Sequence, residues 1–209
     1  MDLSMVQAVL LDMDGTLVDS DAAVERAWRT WAGEHGVDPT ATLAIAHGSP
    51  ADRTVRRLLP SLDDERVAAA ARRQLVLQYD DLSDVTAAHG ARDLLATLDR
   101  LGLPWAVVTS SDTRLARARL ASAGIDPPVL VTVDDVDLGK PDPQGYLHAA
   151  KLLDVPPRRC LVVEDSPVGV EAGRAAGATT VGLNGVDADL RVPDLTRLAH
   201  LLTRARRQQ

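Results

Sequence analysis

The sequence predicts an α/β fold in which a doubly wound parallel sheet carries an inserted α-helical subdomain. Three observations lead there: short Val-rich apolar runs recur along the chain, helical stretches alternate with them, and about ninety residues without a strand pattern separate the first run from the second. Runs this short, apolar without alternation, read as strands buried on both faces, the habit of parallel sheets covered by helices.

Taken in order, the first run, 6–11, leads into two aspartates one residue apart, Asp12 and Asp14, and then Gly-Thr. Helix candidates at 22–34, 50–59 and 63–79 follow, punctuated by Gly36, Pro39, Gly48 and Pro60. Both ends of this stretch return to the carboxyl edge of the first strand, the edge where open α/β sheets bind ligands. The predicted division is a Rossmann-like core of 1–19 and 87–209 with a helical subdomain of 20–86. "ARDLLATLDRLG" is a helix, with apolar residues at 94, 95, 98 and 101 and a terminating Gly102. The run 105–108 is the second strand, and Asp112 is placed to cap the helix after it. The run 129–133 is the third strand, "GYLHAAKLLDV" a helix, 161–163 the fourth strand, "GVEAGRAAGA" a helix and 179–183 a weaker fifth strand. The basic tail 204–207 reads as a solvated helix end.

Length and composition narrow the classes open to such a chain. At 209 residues it can bury a continuous core, which must be built from Ala, Leu and Val because aromatics make up 2% and phenylalanine is absent. The formal net charge of −7 argues against a nucleic-acid or anionic-membrane surface. A single cysteine, Cys160, excludes an intramolecular disulfide framework and fits a reducing compartment. The N-terminal residues show no basic segment ahead of a long apolar one, and no apolar run approaches the ~20 residues of a membrane span, so the expected compartment is the cytoplasm.

Four polar constellations stand at the carboxyl ends of the predicted strands. Asp12 and Asp14, two residues apart on extended chain, address one point beyond the sheet edge, so one can attack while the other moves protons. A turn with Asx hydrogen bonding would also use such residues. Thr109-Ser110-Ser111 offers hydroxyls and free N–H groups ahead of a helix, an anion site if it is more than a cap. Lys140, one of two lysines in an arginine-rich chain, sits in the Gly/Pro loop "DLGKPDP", where a compact point charge is the feature that lysine supplies. Glu164 and Asp165 end the fourth strand side by side, an arrangement that repulsion disfavours unless a cation neutralises it; Mg²⁺ suits carboxylate oxygens and substrate phosphate together. A nucleophile, an acid/base, an anion site, a cation and metal ligands at one sheet edge point to phosphoryl chemistry.

The order D-x-D-G-T, strand-end Thr, Lys-Pro and strand-end Glu-Asp resembles the haloacid dehalogenase superfamily of phosphohydrolases across nearly the whole chain, and "GKPDP" with "VVEDSPVGV" is closest to its small sugar and polyol phosphatases and β-phosphoglucomutases. The resemblance implies Asp12 as the nucleophile that forms an aspartyl-phosphate, and Asp14 as the acid that protonates the leaving alcohol and then activates water. It implies Thr109 and the Ser110 N–H as phosphoryl ligands and Lys140 as the neutralising cation. Mg²⁺ would be held by Asp12, the backbone carbonyl of Asp14, Asp165 and Glu164, the last directly or through water. Residues 20–86 would be a cap that excludes bulk water in the first step.

Departures from the family's branches narrow the reading. Asp14 is absent from dehalogenases proper, and 20–86 contains no lysine for the Schiff base of phosphonoacetaldehyde hydrolases. The cap histidine and arginine of β-phosphoglucomutases fall on Val24 and Ala51 here. The expectation is a Mg²⁺-dependent phosphatase acting on small phosphorylated sugars or polyols, with a β-phosphoglucomutase-like mutase as the alternative and a non-catalytic phosphometabolite-binding protein behind it. Substrate contacts are sought in "AHGSPADRT", at His47 and Arg53, with Asp52 a weaker candidate. The partner is a small phosphorylated metabolite, with neither nucleic acid nor membrane, and the chain a monomer or weak dimer.

Overall fold

The computed structural model describes residues 3–46 and 49–207. The chain forms two compact units, Met1–Asp19 with Thr86–Gln209, and Ser20–Val85.

After a 3₁₀ turn at Leu3–Met5, the first unit forms β1, Ala8–Leu11, whose four residues AVLL are all buried. A short ribbon of β2, Val18–Asp19, and β3, Thr86–Ala87, pairs antiparallel and joins the two chain segments that flank the other unit. Then come α5 Ala91–Leu101, β4 Trp105–Val108, α6 Thr113–Ala123 and β5 Leu130–Val131. The rest is α7 Gln144–Leu152, β6 Cys160–Glu164, α8 Pro167–Ala175, β7 Thr179–Gly182, β8 Leu190–Arg191 and α9 Leu195–Arg206. Six strands pair in parallel in the order β5-β4-β1-β6-β7-β8. The chain winds outward one way from β1 through β4 to β5, then returns and winds the other way from β6. The strand order therefore reverses between β1 and β6, and the crevice beyond their carboxyl ends is the topological switch point.

Both faces of the sheet are covered, which is why its strands are apolar runs. Ala8, Leu10, Ala106, Val108 and Val162 pack with Tyr146, Ala149, Ala150 and Ala172 of α7 and α8, while Val9, Leu11, Val107 and Val163, on the opposite face, are also buried. Cys160 opens β6 as a buried thiol, and burial pushes its pKa up to about 11.

The second unit holds α1 Asp21–His35, α2 Pro39–Ala46, α3 Ala51–Leu58 and α4 Asp64–Leu77. Its core is Trp28, Trp31, Ala32, Ala46, Val55, Val67 and Ala70. Trp31 is fully buried, meets Trp28 edge to face at 5.3 Å, and donates its indole N–H to the Ala70 carbonyl at 2.9 Å. No helix among the described residues is long and apolar enough to cross a membrane.

The elements that the sequence expectation lacked are α2, the β2–β3 ribbon and β8. Pro39 falls at the break after α1, as expected, but it also opens α2; at this first-turn position its missing N–H costs no hydrogen bond, and Asp38 Oδ1 accepts from the Thr40 N–H at 2.9 Å ahead of it. The sixth strand, β8, is two residues long and exists through its pairing with β7, which no periodicity could announce.

Candidate active site

The crevice at the switch point is lined by the ends of β1, β4 and β6 and by the loop before α7. The Asp12 N–H donates to the Val163 carbonyl at 3.0 Å, so the aspartate leaves β1 still in register with β6. The chain then turns tightly, with the Leu17 and Val18 N–H groups both donating to the Met13 carbonyl at 2.9 Å. Gly15 makes the turn possible: its φ is +80°, and a Cβ there would stand 2.0 Å from Asp165 Oδ2. The turn backbone thus lies against the Asp165 carboxylate.

Lys140 spends its three ammonium protons inside this crevice. Nζ donates to Asp12 Oδ1 at 2.5 Å, to Glu164 Oε1 at 2.7 Å and to the Val108 carbonyl at 3.0 Å. The peptide bond between Lys140 and Pro141 is cis. Glu164 is fully buried; Oε1 also accepts from Tyr146 OH at 2.6 Å, and Oε2 accepts from Ser166 Oγ at 3.0 Å. The Glu164 carboxylate fills the space over α8 that a Cβ on Gly169 would take, 1.8 Å from Oε1.

Carboxylate oxygens of Asp12, Glu164 and Asp165 lie within 4.8 Å of one another. Three acids face one ammonium, which leaves two negative charges for a further cation, and the donors are all oxygen, the set a small hard divalent ion prefers. Burial and the crowding of like charges shift the pKa values of its members. Burial, then the Glu164 carboxylate, push the Asp12 pKa well above the ordinary carboxylate value, against the pull of Lys140. Burial works against the charge of Lys140, but the carboxylates of Asp12 and Glu164 outweigh it and raise its pKa. Burial and Glu164 raise that of Tyr146.

The end of β4 reaches the same crevice, where its Val108 carbonyl accepts from Lys140. Thr109 is buried and its Oγ1 accepts from the Ser111 N–H at 3.1 Å, while Ser110 is exposed at the tip of the turn. Ser111 Oγ in turn donates to Asp14 Oδ2 at 3.2 Å. Asp112 caps α6, its Oδ1 accepting from the Leu115 N–H at 2.8 Å.

Asp12, Lys140, Glu164 and Asp165 are thus in one cluster, and Asp14 is linked through Ser111 to the turn that carries Thr109 and Ser110. Arg53 lies exposed on the first turn of α3 in the helical unit. His47 lies outside the described residues. Sequence reasoning missed two polar partners. Tyr146 is one of two tyrosines in a chain without phenylalanine, and it stands on the buried face of α7. Arg119 interrupts the buried stripe Leu115, Ala116, Leu120 and Ala123 of α6, and its Nη1 lies 2.8 Å from Asp14 Oδ1. A charge at an apolar helical spacing was the signal for the second.

Comparison with known proteins agrees with this chemistry. Residues 6–177 match the family model of the haloacid dehalogenase-like hydrolases. Hexitol phosphatase A of Escherichia coli is 41% identical over 194 residues, covering 92% of this chain and 90% of the relative. 2-Deoxyglucose-6-phosphate phosphatase 1 of Saccharomyces cerevisiae is 35% identical over 218 residues, covering 91% and 88%. Among solved structures, a hydrolase from Pseudomonas syringae superposes with a TM-score of 0.83 at 28% identity, over 95% of this chain and 98% of that one.

Proposed function

The chain belongs to the haloacid dehalogenase-like hydrolases, and from that membership and the strand-end cluster we propose that it is a Mg²⁺-dependent phosphatase of small phosphorylated sugars or polyols, working through an aspartyl-phosphate. The observation that carries the reading is Asp12 held by Lys140 at the switch point, with Asp165 and Glu164 beside it.

Asp12, Asp165 and the Asp14 backbone carbonyl would hold Mg²⁺, with Glu164 completing the set directly or through water, and the ion supplies positive charge against the phosphoryl oxygens. The chain's own residues account for the rest. Lys140 orients Asp12 and neutralises charge shared between it and the phosphoryl group. Thr109 and the Ser110 N–H hold phosphoryl oxygens in line with the attack. An Asp12 oxygen forms a bond to phosphorus as the bond to the leaving oxygen breaks, and Asp14 gives its proton to that oxygen. In the second step water bonds to phosphorus, the Asp12–phosphorus bond breaks, and Asp14 takes the water's proton.

The relatives act, by their names, on hexitol phosphates and on 2-deoxyglucose 6-phosphate, and substrate choice is assigned here to the helical unit, with His47 and Arg53 the positions to test. The test is phosphate release, with Mg²⁺ and with a chelator, across hexitol, hexose, deoxyhexose, pentose and glycerol phosphates, phosphoglycolate and β-glucose 1-phosphate. Chelator-sensitive release from one sugar or polyol class is the expected result. No release from any of them, with β-glucose 1-phosphate converted to the 6-phosphate, would establish the mutase instead.

A further inference from the structure

We propose that Arg119 is a positioning residue for Asp14: its buried guanidinium holds the acid/base carboxylate in register with the phosphoryl-binding turn. The inference rests on the reading of Asp14 as the proton donor and acceptor.

Arg119 is 2% exposed and lies on the inward stripe of α6, between Ala116 and Leu120. A charged group in that position is unfavourable unless it is paired and hydrogen-bonded, so its location needs a partner, and the Asp14 carboxylate at 2.8 Å is one. Asp14 stands in the turn after β1, and its side chain is 27% exposed. One segment contacts both of its oxygens: Arg119 of α6 meets Oδ1, and Ser111 Oγ, in the turn that opens α6, donates to Oδ2. The same turn carries Thr109 and Ser110. One continuous element, β4 through α6, therefore sets both where a phosphoryl group would be held and where the proton donor stands beside it.

Arginine suits that task. Its guanidinium is always charged, planar and rigid, and a helix backbone fixes its root, whereas a hydroxyl partner alone leaves a carboxylate free to change rotamer. A displacement of the donor by about 1 Å costs up to roughly 10²-fold in rate. The loss should fall only on reactions that need the proton. Alkyl phosphates lose a strongly basic alkoxide and depend on protonation; p-nitrophenyl phosphate loses a stable phenolate and does not.

The experiment measures first-turnover rates of Arg119→Met with the best sugar or polyol phosphate and with p-nitrophenyl phosphate, beside wild type and Asp14→Asn. Arg119→Met should slow release of the sugar or polyol about 10–100-fold with little change in KM, and leave the nitrophenolate burst within about threefold. Arg119→Lys, which keeps charge but loses the fork, should show the same split, smaller in size. Equal slowing with both leaving groups, or no slowing with either, overturns the proposal, as does failure of both variants to fold, because Arg119 is then structural. A split in Asp14→Asn without one in Arg119→Met overturns the inference alone; no split in Asp14→Asn overturns the reading of Asp14 itself.

Discussion

In the sheet unit, Lys140 is held by Asp12 and Glu164 with side chains 9%, 10% and 0% exposed, whereas in the helical unit Arg26 meets Asp84 and Arg73 meets Glu34 with every partner at 36% or more. The geometry of the exposed pairs is as good as that of the buried ones: Arg73 grips Glu34 through two hydrogen bonds of 2.9 and 2.6 Å. The difference is solvent. Around Arg73 and Arg26 water screens the charges and would hydrate them equally well apart, so pairing adds little. Around Lys140 the charges have lost their water, attract and repel strongly, and are in excess on the acidic side. A fold does not need such an arrangement, and a well-packed apolar strand end would be more stable. Its presence marks the place where stability yields to chemistry.

The largest expected effect tests that statement directly. Asp12→Asn should lower Mg²⁺-dependent phosphate release by at least about 10⁴-fold, as loss of a nucleophile does. The metal-free variant should nevertheless be no less stable than metal-free wild type. An acid whose folded-state pKa lies above its unfolded value weighs against folding once it ionises. Burial raises that of Asp12, so wild type without metal should lose stability as pH rises above the ordinary carboxylate range, and Asp12→Asn should lose less. Thermal melts with and without Mg²⁺ between acid and neutral pH check both halves. A metal-free variant that melts well below wild type would show that the cluster holds the sheet together, and the comparison would break.

The helical unit should answer to packing instead. Trp31 is fully buried between Trp28 and Ala70, so Trp31→Ala leaves a large cavity and removes the indole hydrogen bond to the Ala70 carbonyl, at a cost of about 3–5 kcal/mol. Hydrogen exchange is the measurement: protection should fall across 20–85 while the amides of β1 and β6 keep theirs. Equal loss in both units would mean that they unfold as one body.

How much of this was legible in the sequence follows from the same contrast. Strands buried on both faces are apolar without interruption, so Asp12 after Leu11 and Glu164 after Val163 announce strand ends and candidate site residues in one stroke. Sequence position could not show that Glu164 points at Lys140 and Tyr146 across the crevice, because that depends on the pairing of β1 with β6 and on how α7 packs. Arg119 was hidden by its surroundings: "TRLARARLASA" is arginine-rich, and only the helix phase, which puts Arg119 on the stripe with Leu115 and Leu120, sets it apart from Arg114 and Arg117 on the exposed side. Pro39 marks the break after α1, but the short helix it opens, α2, carries too few residues for its own periodicity to stand out. β8 left no trace, since a two-residue edge strand is made by its neighbour.

The smallest effect is the sharpest test of the contrast. Arg73→Gln removes a bidentate pair that holds the Glu34 carboxyl below its ordinary pKa through direct hydrogen bonds. The sign is stabilising: an acid with a lowered folded-state pKa favours folding above its unfolded value, and that contribution fades as pH falls through the lowered one. Its size is set by exposure, and with both side chains open to water the denaturation midpoint at neutral pH should not move measurably, at low salt or at about 0.5 M salt. A clear, salt-sensitive loss of stability would mean that the exposed pairs bind α1 to α4 as firmly as Trp31 does. Burial, and not pairing, would then no longer separate the charges that serve chemistry from those that merely face solvent.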